Sequence, residues 1–402
     1  MNIKIEKGLA RGEIFAPPSK SYAHRLLIAG ALAGKSIIDG IIGSEDMNAT
    51  LDCISALGVD YRKNGKKVEI IGTDFTNGTR VFDCHESGST LRFFIPIALA
   101  LGNNATFVGT KRLFERGIEI YEEIFSRQGI EFKKQETKIE INGKLMPDTF
   151  YVRGNVSSQY ITGLLFALPL LNGDSKIVIT TELESSAYVD ITLDALKQFG
   201  IEIIREKNEL YIKGNQKYLP KNLTVEGDAS NGAFLDAFNI LGGDVSVLGL
   251  KNDTLQSDIA YKNHFLSLAN GTPTIDISNT PDLGPILFAL AGVLNGARFV
   301  GTRRLKIKES DRAEAMATEL NKLGINVLVY ENEVVIKKST IHAPSEMLNG
   351  HNDHRIVMSL AVLCTLFGGT ISGCEAVNKS YPEFFDDLRG LGISWEKTNE
   401  NN

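Results

Sequence analysis

Two acidic residues lie among basic residues in the last third of the chain, and this setting suggests proton-transfer chemistry. Asp282 stands at the start of a strongly apolar segment, and Glu309 lies within Lys308-Glu309-Ser310-Asp311-Arg312. A carboxylate weakens the binding of an anion at a cationic site, so its presence there is best explained by acid or base work. A structural alternative stays open, because Asp282 follows Pro281 as a first-turn acid would, and Asp311 could cap a helix beside a solvated Glu309.

Basic and hydroxyl side chains collect where apolar segments begin, and this pattern points to the binding of a small polyanion. The backbone N–H groups and the dipole at a helix N-terminus favour negative charge. A single Ser or Asp at such a position is also an ordinary helix cap, but the pattern recurs along the chain. The residues concerned are Lys20, Ser21 and Arg25; Ser87, Gly88, Ser89 and Arg92; Ser157, Ser158 and Gln159; and His354 with Arg355.

Two short motifs resemble familiar sites but lack the context that those sites need. Gly30-Ala-Leu-Ala-Gly34-Lys35-Ser36 is one residue short of a Walker A loop and falls at the end of a helical pattern. His351-Asn-Asp-His354 has the spacing of a metal pair on a helix, but neither a third ligand nor the Glu of a metalloprotease motif accompanies it. We therefore expect no metal site.

A unit of about 70 residues recurs six times and would position these residues. Each copy has a short polar turn, an apolar segment of about four helical turns, a glycine, and then a β-branched run. The segments are apolar nearly all round, which predicts buried helices. The copies begin near Ser19, Ser87, Ser157, Ala229, Pro281 and Asp353, at intervals of 68, 70, 72, 52 and 72 residues.

A second, amphipathic segment keeps the same period. It closes in a glycine between apolar residues, as in Phe199-Gly200-Ile201 and Leu323-Gly324-Ile325, and a strand-like run such as Glu202-Ile203-Ile204 follows. Each repeat therefore contains two helices and several strands. The sequence predicts an α/β protein of two similar lobes with three repeats each.

The repeat intervals also predict how the chain divides between the lobes. Pro220-Lys221-Asn222 is the expected crossing after the third repeat. The fourth interval is short by almost 20 residues, and residues 1–16 could supply the missing strand. We therefore predict a first lobe of residues 17–224 and a second lobe of residues 1–16 with 225–402. Pairing of residues 3–5 with strands of the first lobe would contradict this arrangement.

Composition and charge argue against several classes of protein. The 402 residues include 43 Lys and Arg against 49 Asp and Glu, a net charge of −6, so no nucleic-acid partner is expected. Four cysteines without a CxxC pair indicate a reducing compartment. The N-terminus lacks the apolar run of a signal peptide, and no stretch of 18 apolar residues occurs. We expect a cytoplasmic protein, monomeric and without a membrane partner.

Specific motifs from about residue 7 to about residue 390 resemble one family. They are Pro18-Ser19-Lys20-Ser21 with Arg25, Ser87-Gly88-Ser89-Thr90-Leu91-Arg92, Glu115-Arg116, Ser157-Ser158-Gln159, Glu226-Gly227-Asp228-Ala229-Ser230, Pro281-Asp282, Lys308-Glu309-Ser310-Asp311-Arg312, Asn352-Asp353-His354-Arg355 and Lys379-Ser-Tyr-Pro. With these motifs the chain resembles the 5-enolpyruvylshikimate-3-phosphate synthases. The resemblance implies two lobes of three βαβαββ repeats with buried helices, an inside-out α/β barrel, which agrees with the six repeats.

The resemblance also implies a reaction and its site. The family transfers the enolpyruvyl group of phosphoenolpyruvate to the 5-hydroxyl of shikimate 3-phosphate through a tetrahedral intermediate, releasing phosphate without metal or organic cofactor. Asp282 would take the hydroxyl proton, and Glu309, with Lys20 near the bridging oxygen, would serve the methylene carbon. The first lobe would mainly bind shikimate 3-phosphate, whose contacts would be Lys20, Ser21, Arg25, Ser157, Ser158, Gln159, Ser185, Tyr188, Asp282 and Lys308. Phosphoenolpyruvate would contact Lys20, Gly88, Arg116, Gln159, Arg312, Arg355 and Lys379.

The sequence departs from the family pattern in places. Glu86 stands where many members have Asn, and this carboxylate should weaken phosphoenolpyruvate binding unless a cation such as Arg92 pairs with it. Gly88 matches glyphosate-sensitive members, which implies sensitivity here. The other departures are Ser89 where many have Thr, Ser186-Ala187 where a basic residue and Pro are common, and Arg304 where Asn is frequent.

Three other interpretations compete with this one. The UDP-N-acetylglucosamine enolpyruvyl transferases usually carry a Cys or Asp in a Gly-rich loop before the arginine that matches Arg116, and here the loop is Gly109-Thr-Lys-Arg-Leu-Phe-Glu-Arg116. The RNA 3′-phosphate cyclases need a nucleotide site and a histidine nucleophile, for which no histidine here has a supporting context. A protein that only binds a phosphorylated metabolite would not need both Asp282 and Glu309 beside the cations. An enzyme acting on small molecules is therefore favoured.

Overall fold

The structure, a computed structural model, describes residues 1–75, 79–102 and 104–398. Within these ranges it contains thirteen α-helices, numbered in chain order. They are α1 Lys20–Ala33, α2 Glu45–Ala56, α3 Gly88–Ala100, α4 Lys111–Glu115, α5 Glu119–Phe125, α6 Ser158–Ala167, α7 Ser186–Gln198, α8 Ala229–Ile240, α9 Tyr261–Asn270, α10 Gly284–Val293, α11 Arg312–Asn321, α12 His354–Phe367 and α13 Phe384–Gly390.

The same ranges contain twenty-two β-strands and six short 3-10 helices. The strands are β1 Asn2–Ile5, β2 Arg11–Phe15, β3 Ser36–Asp39, β4 Val59–Asn64, β5 Lys67–Thr73, β6 Thr79–Asp83, β7 Asn104–Val108, β8 Glu131–Lys134, β9 Lys138–Asn142, β10 Thr149–Val152, β11 Ser175–Ile179, β12 Ile203–Glu206, β13 Glu209–Ile212, β14 Asn222–Thr224, β15 Asp244–Leu248, β16 Thr274–Asp276, β17 Gly296–Val300, β18 Val327–Tyr330, β19 Glu333–Lys337, β20 Leu348–Asn349, β21 Gly369–Ser372 and β22 Trp395–Thr398. The 3-10 helices are Ser126–Gln128, Leu168–Leu170, Ser257–Ala260, Pro281–Leu283, Arg303–Ile307 and Cys374–Lys379.

The six predicted buried helices are α1, α3, α6, α8, α10 and α12, and each begins at or within a few residues of its predicted start. In five of them a side-chain oxygen of the N-cap residue accepts a hydrogen bond from a backbone N–H of the first turn, which satisfies an otherwise unpaired donor. The fifth repeat differs, because its chain enters as the 3-10 helix Pro281–Leu283 before α10. The five N-cap residues are Ser19, Ser87, Ser157, Asp228 and Asp353.

Five of the six sheets described share one plan of four strands. In three of these sheets the strand before a buried helix pairs in parallel with the strand after it, and an antiparallel hairpin completes the sheet. Their orders are β6-β7-β9-β8, β10-β11-β13-β12 and β16-β17-β19-β18. The remaining orders are β14-β3-β5-β4, β20-β21-β1-β22 and the two-stranded β15-β2. The α/β class and the sixfold repeat are confirmed.

Three strands reach their sheets from a distant part of the sequence. β14 pairs in parallel with β3, β2 pairs in parallel with β15, and β1 lies between β21 and β22. The N-terminal residues therefore complete the fourth and sixth repeats. The sheet of the fourth repeat, as described, has only β15 and β2, and the hairpin that is missing from it accounts for the short interval of 52 residues.

Two compact units divide the chain: a first unit of residues 18–226, and a second unit of residues 1–17 with 227–402. These bounds differ by one or two residues from the expected 17–224 and 1–16 with 225–402. The chain leaves the first unit after Glu226, beyond the crossing expected at Pro220-Lys221-Asn222. The reason is that β14, which follows Pro220, still pairs with β3 of the first unit.

Each unit has its own apolar core around its buried helices. The closest helix contact of the first unit is between α3 and α6, where a Cβ atom on Gly163 would lie 2.3 Å from the Arg92 carbonyl oxygen and from Tyr121 Oη. Glycine is therefore required at this crossing. Across the residues that the structure describes, none of the helices combines the length and the apolar character needed to cross a membrane.

Candidate active site

Arg312, the first residue of α11, binds three carboxylates at once. Its Nε lies 2.8 Å from Asp353 Oδ2, its Nη1 2.8 Å from Asp282 Oδ1, and its Nη2 2.7 Å from Glu309 Oε2. Burial alone lowers the pKa of Arg312, but the charges of Asp353, Glu309 and Asp282 outweigh that effect and raise it. The guanidinium is therefore a permanent cation that holds the two predicted acids, Asp282 and Glu309, close to each other.

Asp282 lies in the 3-10 helix Pro281–Leu283, just before α10, and meets two further cations. Lys308 Nζ lies 3.1 Å from its Oδ1, and Arg355 Nη2 lies 3.0 Å from its Oδ2. Arg355 Nη1 also donates to the backbone carbonyl of Asp282 at 3.3 Å. Neighbouring cations favour the ionised form of a carboxylate. Because 18% of the side chain is exposed, a ligand can reach this charged group.

The start of α12 holds the remaining predicted cations of the second unit. Asp353 caps the helix by accepting from the Arg355 amide at 3.0 Å. The Arg355 guanidinium donates to Ser230 Oγ at the start of α8. Lys379 donates to the Asn352 carbonyl at 2.7 Å and is 6% exposed. The N-termini of α8 and α12 thus meet at Arg355, where two helix dipoles and a guanidinium all favour an anion.

A further acid, Asp258, is buried beside these cations, and the sequence analysis missed it. It lies in the 3-10 helix Ser257–Ala260 and is 6% exposed. Burial, and then the charges of Asp282 and other neighbours, raise the pKa of Asp258 to about 7, although Arg355 opposes this shift. No sequence pattern marked Asp258, because its flanking residues carry no charge and its charged neighbours lie far away along the chain.

In the first unit, two guanidinium groups lie against the start of α3. A Cβ atom on Gly88 would lie 2.8 Å from Arg92 Nη1 and 2.9 Å from Arg116 Nη2. Arg92 donates to Gln159 Oε1 at 2.7 Å and to the carbonyls of Arg116 and Gly117, each at 2.9 Å. Positive charge therefore lies beside a helix N-terminus whose first residue has no side chain, an arrangement that favours a phosphate or a carboxylate.

Arg92, named above as one cation that could pair with Glu86, has its described contacts with other groups. The Arg92 guanidinium is 4% exposed and lies 5.2 Å from the ring centroid of Tyr160. Its donated hydrogen bonds go to Gln159 and to the two backbone carbonyls after α4. The Arg92 side chain is thus turned toward α6 and toward the chain after α4.

Lys20, the first residue of α1, pairs with an acid that the sequence analysis did not single out. Its Nζ lies 2.8 Å from Asp46 Oδ2, and the side chains of Lys20 and Asp46 are each 15% exposed. Asp46 belongs to the first turn of α2, where an acidic residue complements the helix dipole and would pass as a routine capping feature. An anion that binds Lys20 must therefore compete with Asp46.

The starts of the second and third repeats are joined by a side-chain contact. Gln159 Nε2 donates to Ser89 Oγ at 3.0 Å, while Ser157 caps α6 by accepting from the Gln159 amide at 3.3 Å. Ser158, the first residue of α6, is 5% exposed. The predicted residues Ser157, Ser158 and Gln159 therefore lie together with Gly88 and Arg116 through their shared neighbour Arg92.

Arg25 organises another part of the predicted set. Its Nε donates to Thr192 Oγ1 at 2.8 Å, its Nη1 to the Ser21 carbonyl at 2.7 Å, and its Nη2 to the Tyr188 carbonyl at 3.1 Å. Burial lowers the pKa of Arg25 to about 10. Ser185, just before α7, is buried in a left-handed conformation with φ 57°. Arg25 thus ties α1 to α7, and its direct contact with a ligand stays a prediction.

The residues that the structure describes contain no group of three or more His, Cys, Asp or Glu side chains placed to hold a metal ion. The two histidines of the metal-like motif have other surroundings. His351 Nε2 lies 2.8 Å from Glu319 Oε1, and His354 is 1% exposed at the start of α12.

Solved structures share this architecture. The EPSP synthase of Acinetobacter baumannii matches with a TM-score of 0.77 and 22% sequence identity, covering 98% of this chain and 100% of that chain. The enolpyruvyl transferase NikO from Streptomyces tendae matches with a TM-score of 0.79 and 14% identity, covering 99% of this chain and 98% of that chain. At these identities the likeness shows the fold, which confirms the predicted fold class.

Sequence comparison gives a closer relationship. The family model for EPSP synthase (3-phosphoshikimate 1-carboxyvinyltransferase) matches residues 6–388. The 3-phosphoshikimate 1-carboxyvinyltransferase of Clostridium novyi (strain NT) is 43% identical over 426 aligned positions, which cover 97% of each chain. That of Clostridioides difficile (strain 630) is 41% identical, again over 97% of each chain. This chain belongs to the EPSP synthase family.

Proposed function

We propose that this protein transfers the enolpyruvyl group of phosphoenolpyruvate to the 5-hydroxyl of shikimate 3-phosphate and releases phosphate. The family match over residues 6–388 supports the reaction. The observation that carries the proposal is the contact of Arg312 with both Asp282 and Glu309, because it joins two candidate proton carriers to a permanent cation. A cytoplasmic location and a monomeric state are further parts of the proposal.

The first step is an addition across the double bond of phosphoenolpyruvate. The 5-hydroxyl oxygen bonds to the carbon that carries the phosphate, its proton passes to Asp282, and the methylene carbon gains a proton to become a methyl group. Lys308, Arg312 and Arg355 favour ionised Asp282 in the free protein, which weakens it as a base. An anion bound to these cations offsets their charge, so we expect substrate binding to strengthen Asp282 as a base.

Glu309 exchanges a proton with the methylene carbon both in the addition and in the elimination that follows it. In its protonated form it supplies the proton during addition, and as a carboxylate it removes a proton from the methyl group while the bond to phosphate breaks. Its Oε2 lies 2.7 Å from Arg312 Nη2, and its side chain is 16% exposed. A substrate carboxylate that binds Arg312 would compete with Glu309 for the guanidinium. Glu309 would then be protonated more easily.

The cations bind the charged groups of the two substrates. For phosphoenolpyruvate, Lys20, Arg116 and the Gly88 amide would meet the phosphate, and Arg312, Arg355 and Lys379 would meet the carboxylate, with Gln159 as a hydrogen-bonding contact. Preorganised donors of this kind also stabilise the charge that develops in the transition state. For shikimate 3-phosphate we propose Lys20, Ser21, Arg25, Ser157, Ser158, Gln159, Ser185, Tyr188, Asp282 and Lys308.

Phosphate release from phosphoenolpyruvate tests this proposal. Wild type is assayed with shikimate 3-phosphate and, separately, with UDP-N-acetylglucosamine, beside Asp282→Asn and Glu309→Gln, which keep the side-chain shape. We expect release only with shikimate 3-phosphate, and a loss of at least about 100-fold in kcat for either variant. Asp386→Asn, at a side chain that is 78% exposed, is the control for loss of an acidic charge and should keep full activity.

Two outcomes would overturn the proposal. Release with UDP-N-acetylglucosamine would assign the protein to the related transferase. The absence of release with either acceptor would favour a protein that only binds phosphorylated metabolites.

A further inference from the structure

The segment between β20 and α12 contains two consecutive non-glycine residues in the left-handed region of backbone conformation. His351 has φ 49° and Asn352 has φ 52°. Residues with a Cβ atom adopt this conformation at an energetic cost, although His and Asn tolerate it better than most. Two such residues in succession persist only where the surroundings hold them in place, and strain of this kind tends to occur at functional sites.

Glu319 on α11 holds this segment through two contacts. Its Oε1 lies 2.8 Å from His351 Nε2, and its Oε2 accepts from the Asn349 amide at 2.9 Å. Lys322 Nζ lies 3.0 Å from the same Oε2, and the Glu319 side chain is 1% exposed. Burial alone raises the pKa of Glu319, but the hydrogen bonds from His351, Asn349 and Lys322 outweigh it and lower the pKa. The buried group is therefore a carboxylate whose described contacts go to one short segment and to Lys322, just after α11.

Contacts within the segment leave it little freedom. The His351 amide donates to Asn349 Oδ1 at 2.7 Å, and the Gly350 amide donates to the Ser372 carbonyl at 2.8 Å. A Cβ atom on Gly350 would lie 2.4 Å from Val357 Cγ2, so the backbone lies directly on α12. The side chain of His351 joins this segment to Glu319 on α11, beside the hydrogen bond from the Asn349 amide.

The cations proposed to bind phosphoenolpyruvate depend on where this segment lies. The Asn352 carbonyl accepts from Lys379 Nζ at 2.7 Å. The next residue, Asp353, caps α12, accepts from the Arg355 amide and pairs with Arg312. A shift of residues 351–353 would therefore move the partners of Lys379, Arg355 and Arg312 together.

We propose that Glu319 and His351 are positioning residues that fix residues 349–353, so that Arg355 and Lys379 keep the arrangement needed to bind phosphoenolpyruvate. This inference rests on the proposed function. The two residues act through the backbone of the segment and need no contact with a substrate. A merely structural role would lower stability without discriminating between the substrates, whereas a positioning role weakens the binding of one substrate selectively.

Steady-state kinetics of two His351 variants separate these roles. His351→Phe keeps a ring but loses the ring nitrogen that contacts Glu319, and the side chain is 29% exposed, so the core stays intact. We expect KM for phosphoenolpyruvate to rise about tenfold, while KM for shikimate 3-phosphate and kcat change less than about twofold. His351→Gln restores a donor and should recover most of the lost affinity.

A second readout does not depend on turnover. Hydrogen exchange should become faster at the amides of residues 349–355 in His351→Phe and stay unchanged elsewhere. Asn215→Ala is the matched control, because Asn215 is also left-handed, with φ 57°, and its side chain holds a turn in the first unit by donating to Asn172 at 3.2 Å. This variant should leave both KM values unchanged.

Three results would overturn the positioning role: equal rises in both KM values, a Gln variant no better than the Phe variant, or unchanged exchange at residues 349–355. If the wild type releases no phosphate, the proposed function fails. Hydrogen exchange is then the only test of the positioning role. Faster exchange confined to residues 349–355 in His351→Phe would still show that His351 holds the segment.

Discussion

At the scale of single residues, Asp258 is an acid whose ionisation the fold opposes. Burial, Asp282 and Asp228 raise its pKa from 3.8 to about 7, while Arg355 and Lys308 oppose the shift. Between about pH 4 and pH 7, therefore, Asp258 keeps its proton in the folded protein but has lost it in the unfolded chain. The stability contributed by this proton is complete below pH 4 and is lost as pH rises through about 7.

We predict that Asp258→Asn removes this pH dependence. An amide stays neutral, so the variant should be more stable than wild type at pH 8, by about 2–4 kcal/mol, and the difference should shrink toward pH 4. Urea denaturation at several pH values measures it. Asp386→Asn, at an exposed acid, is the control. A difference that is constant between pH 4 and pH 8 would contradict the prediction.

Gly88 allows a second prediction at this scale. A methyl group there would lie 2.8 Å from Arg92 Nη1 and 2.9 Å from Arg116 Nη2, so the ends of these side chains must shift to admit it. We expect Gly88→Ala to raise KM for phosphoenolpyruvate about tenfold and to weaken inhibition by glyphosate, with the free energy of unfolding within about 1 kcal/mol of wild type. Kinetics and denaturation of one preparation test both parts. An unchanged KM would show that Arg116 does not bind this substrate.

The side-chain contacts of the candidate site are the part that the sequence could least predict. Motifs located Asp282, Arg312 and Arg355, because these residues stand at helix starts with a recognisable pattern. The contacts among them join residues 30 to 73 positions apart, and no local pattern encodes which atom of a guanidinium meets which acid. For the same reason no sequence pattern predicted the partners of Arg92 or the place of Asp258 beside these cations.

At the scale of elements, β1 shows how a strand distant in sequence completes a repeat. Ile3 and Ile5 are fully buried in the core of the second unit, whereas Lys4 points to solvent and forms surface ion pairs. We predict that Ile5→Ala costs about 2–4 kcal/mol of stability, because it leaves a cavity in the core of the second unit. Lys4→Ala, the neighbouring control, should leave the stability nearly unchanged. Urea denaturation measures the stability of both variants. Equal effects would contradict the placement of β1 between β21 and β22, with Ile5 in the core.

The contact between α3 and α6 gives another prediction at this scale. A Cβ atom on Gly163 would lie 2.3 Å from backbone oxygen, which cannot move as a flexible side chain can. Gly163→Ala should therefore destabilise the protein by at least about 2 kcal/mol. Gly390, in α13, has nothing within 4 Å of the Cβ position, so Gly390→Ala should be neutral or stabilising by up to about 1 kcal/mol. Urea denaturation of both variants tests whether the space around the added methyl group decides if the substitution stabilises or destabilises the protein.

The helices were easier to predict than the strands for a physical reason. Each buried helix carries its own signals within about 16 residues, an apolar run and, in five of the six, a cap such as Ser87. A short strand such as β14 carries almost none, because its pairing with β3 depends on residues far away in the sequence. The sequence therefore predicted six helices and the need for a strand from residues 1–16, but it misplaced the crossing near Pro220.

At the scale of the whole molecule, a protein with a net charge of −6 must bind two phosphorylated anions. We propose that the cations concentrated at a few helix starts bind them, and Glu309 is one of the acids that lie among these cations. That acid opposes the binding of an anion, so its removal should separate binding from catalysis. The free energy of unfolding of the full chain measures the binding, because a ligand at 100 times its Kd stabilises the folded state by about 2.7 kcal/mol.

We predict that Glu309→Gln keeps or increases the stabilisation given by phosphoenolpyruvate and shikimate 3-phosphate, although turnover falls at least about 100-fold. Arg355→Lys is the matched contrast, because it removes a bidentate donor and should reduce the stabilisation. Denaturation is compared with and without ligands at fixed concentrations. If Glu309→Gln loses stabilisation and turnover together, Glu309 serves to hold Arg312 in place, and the proton at the methylene carbon must come from another group.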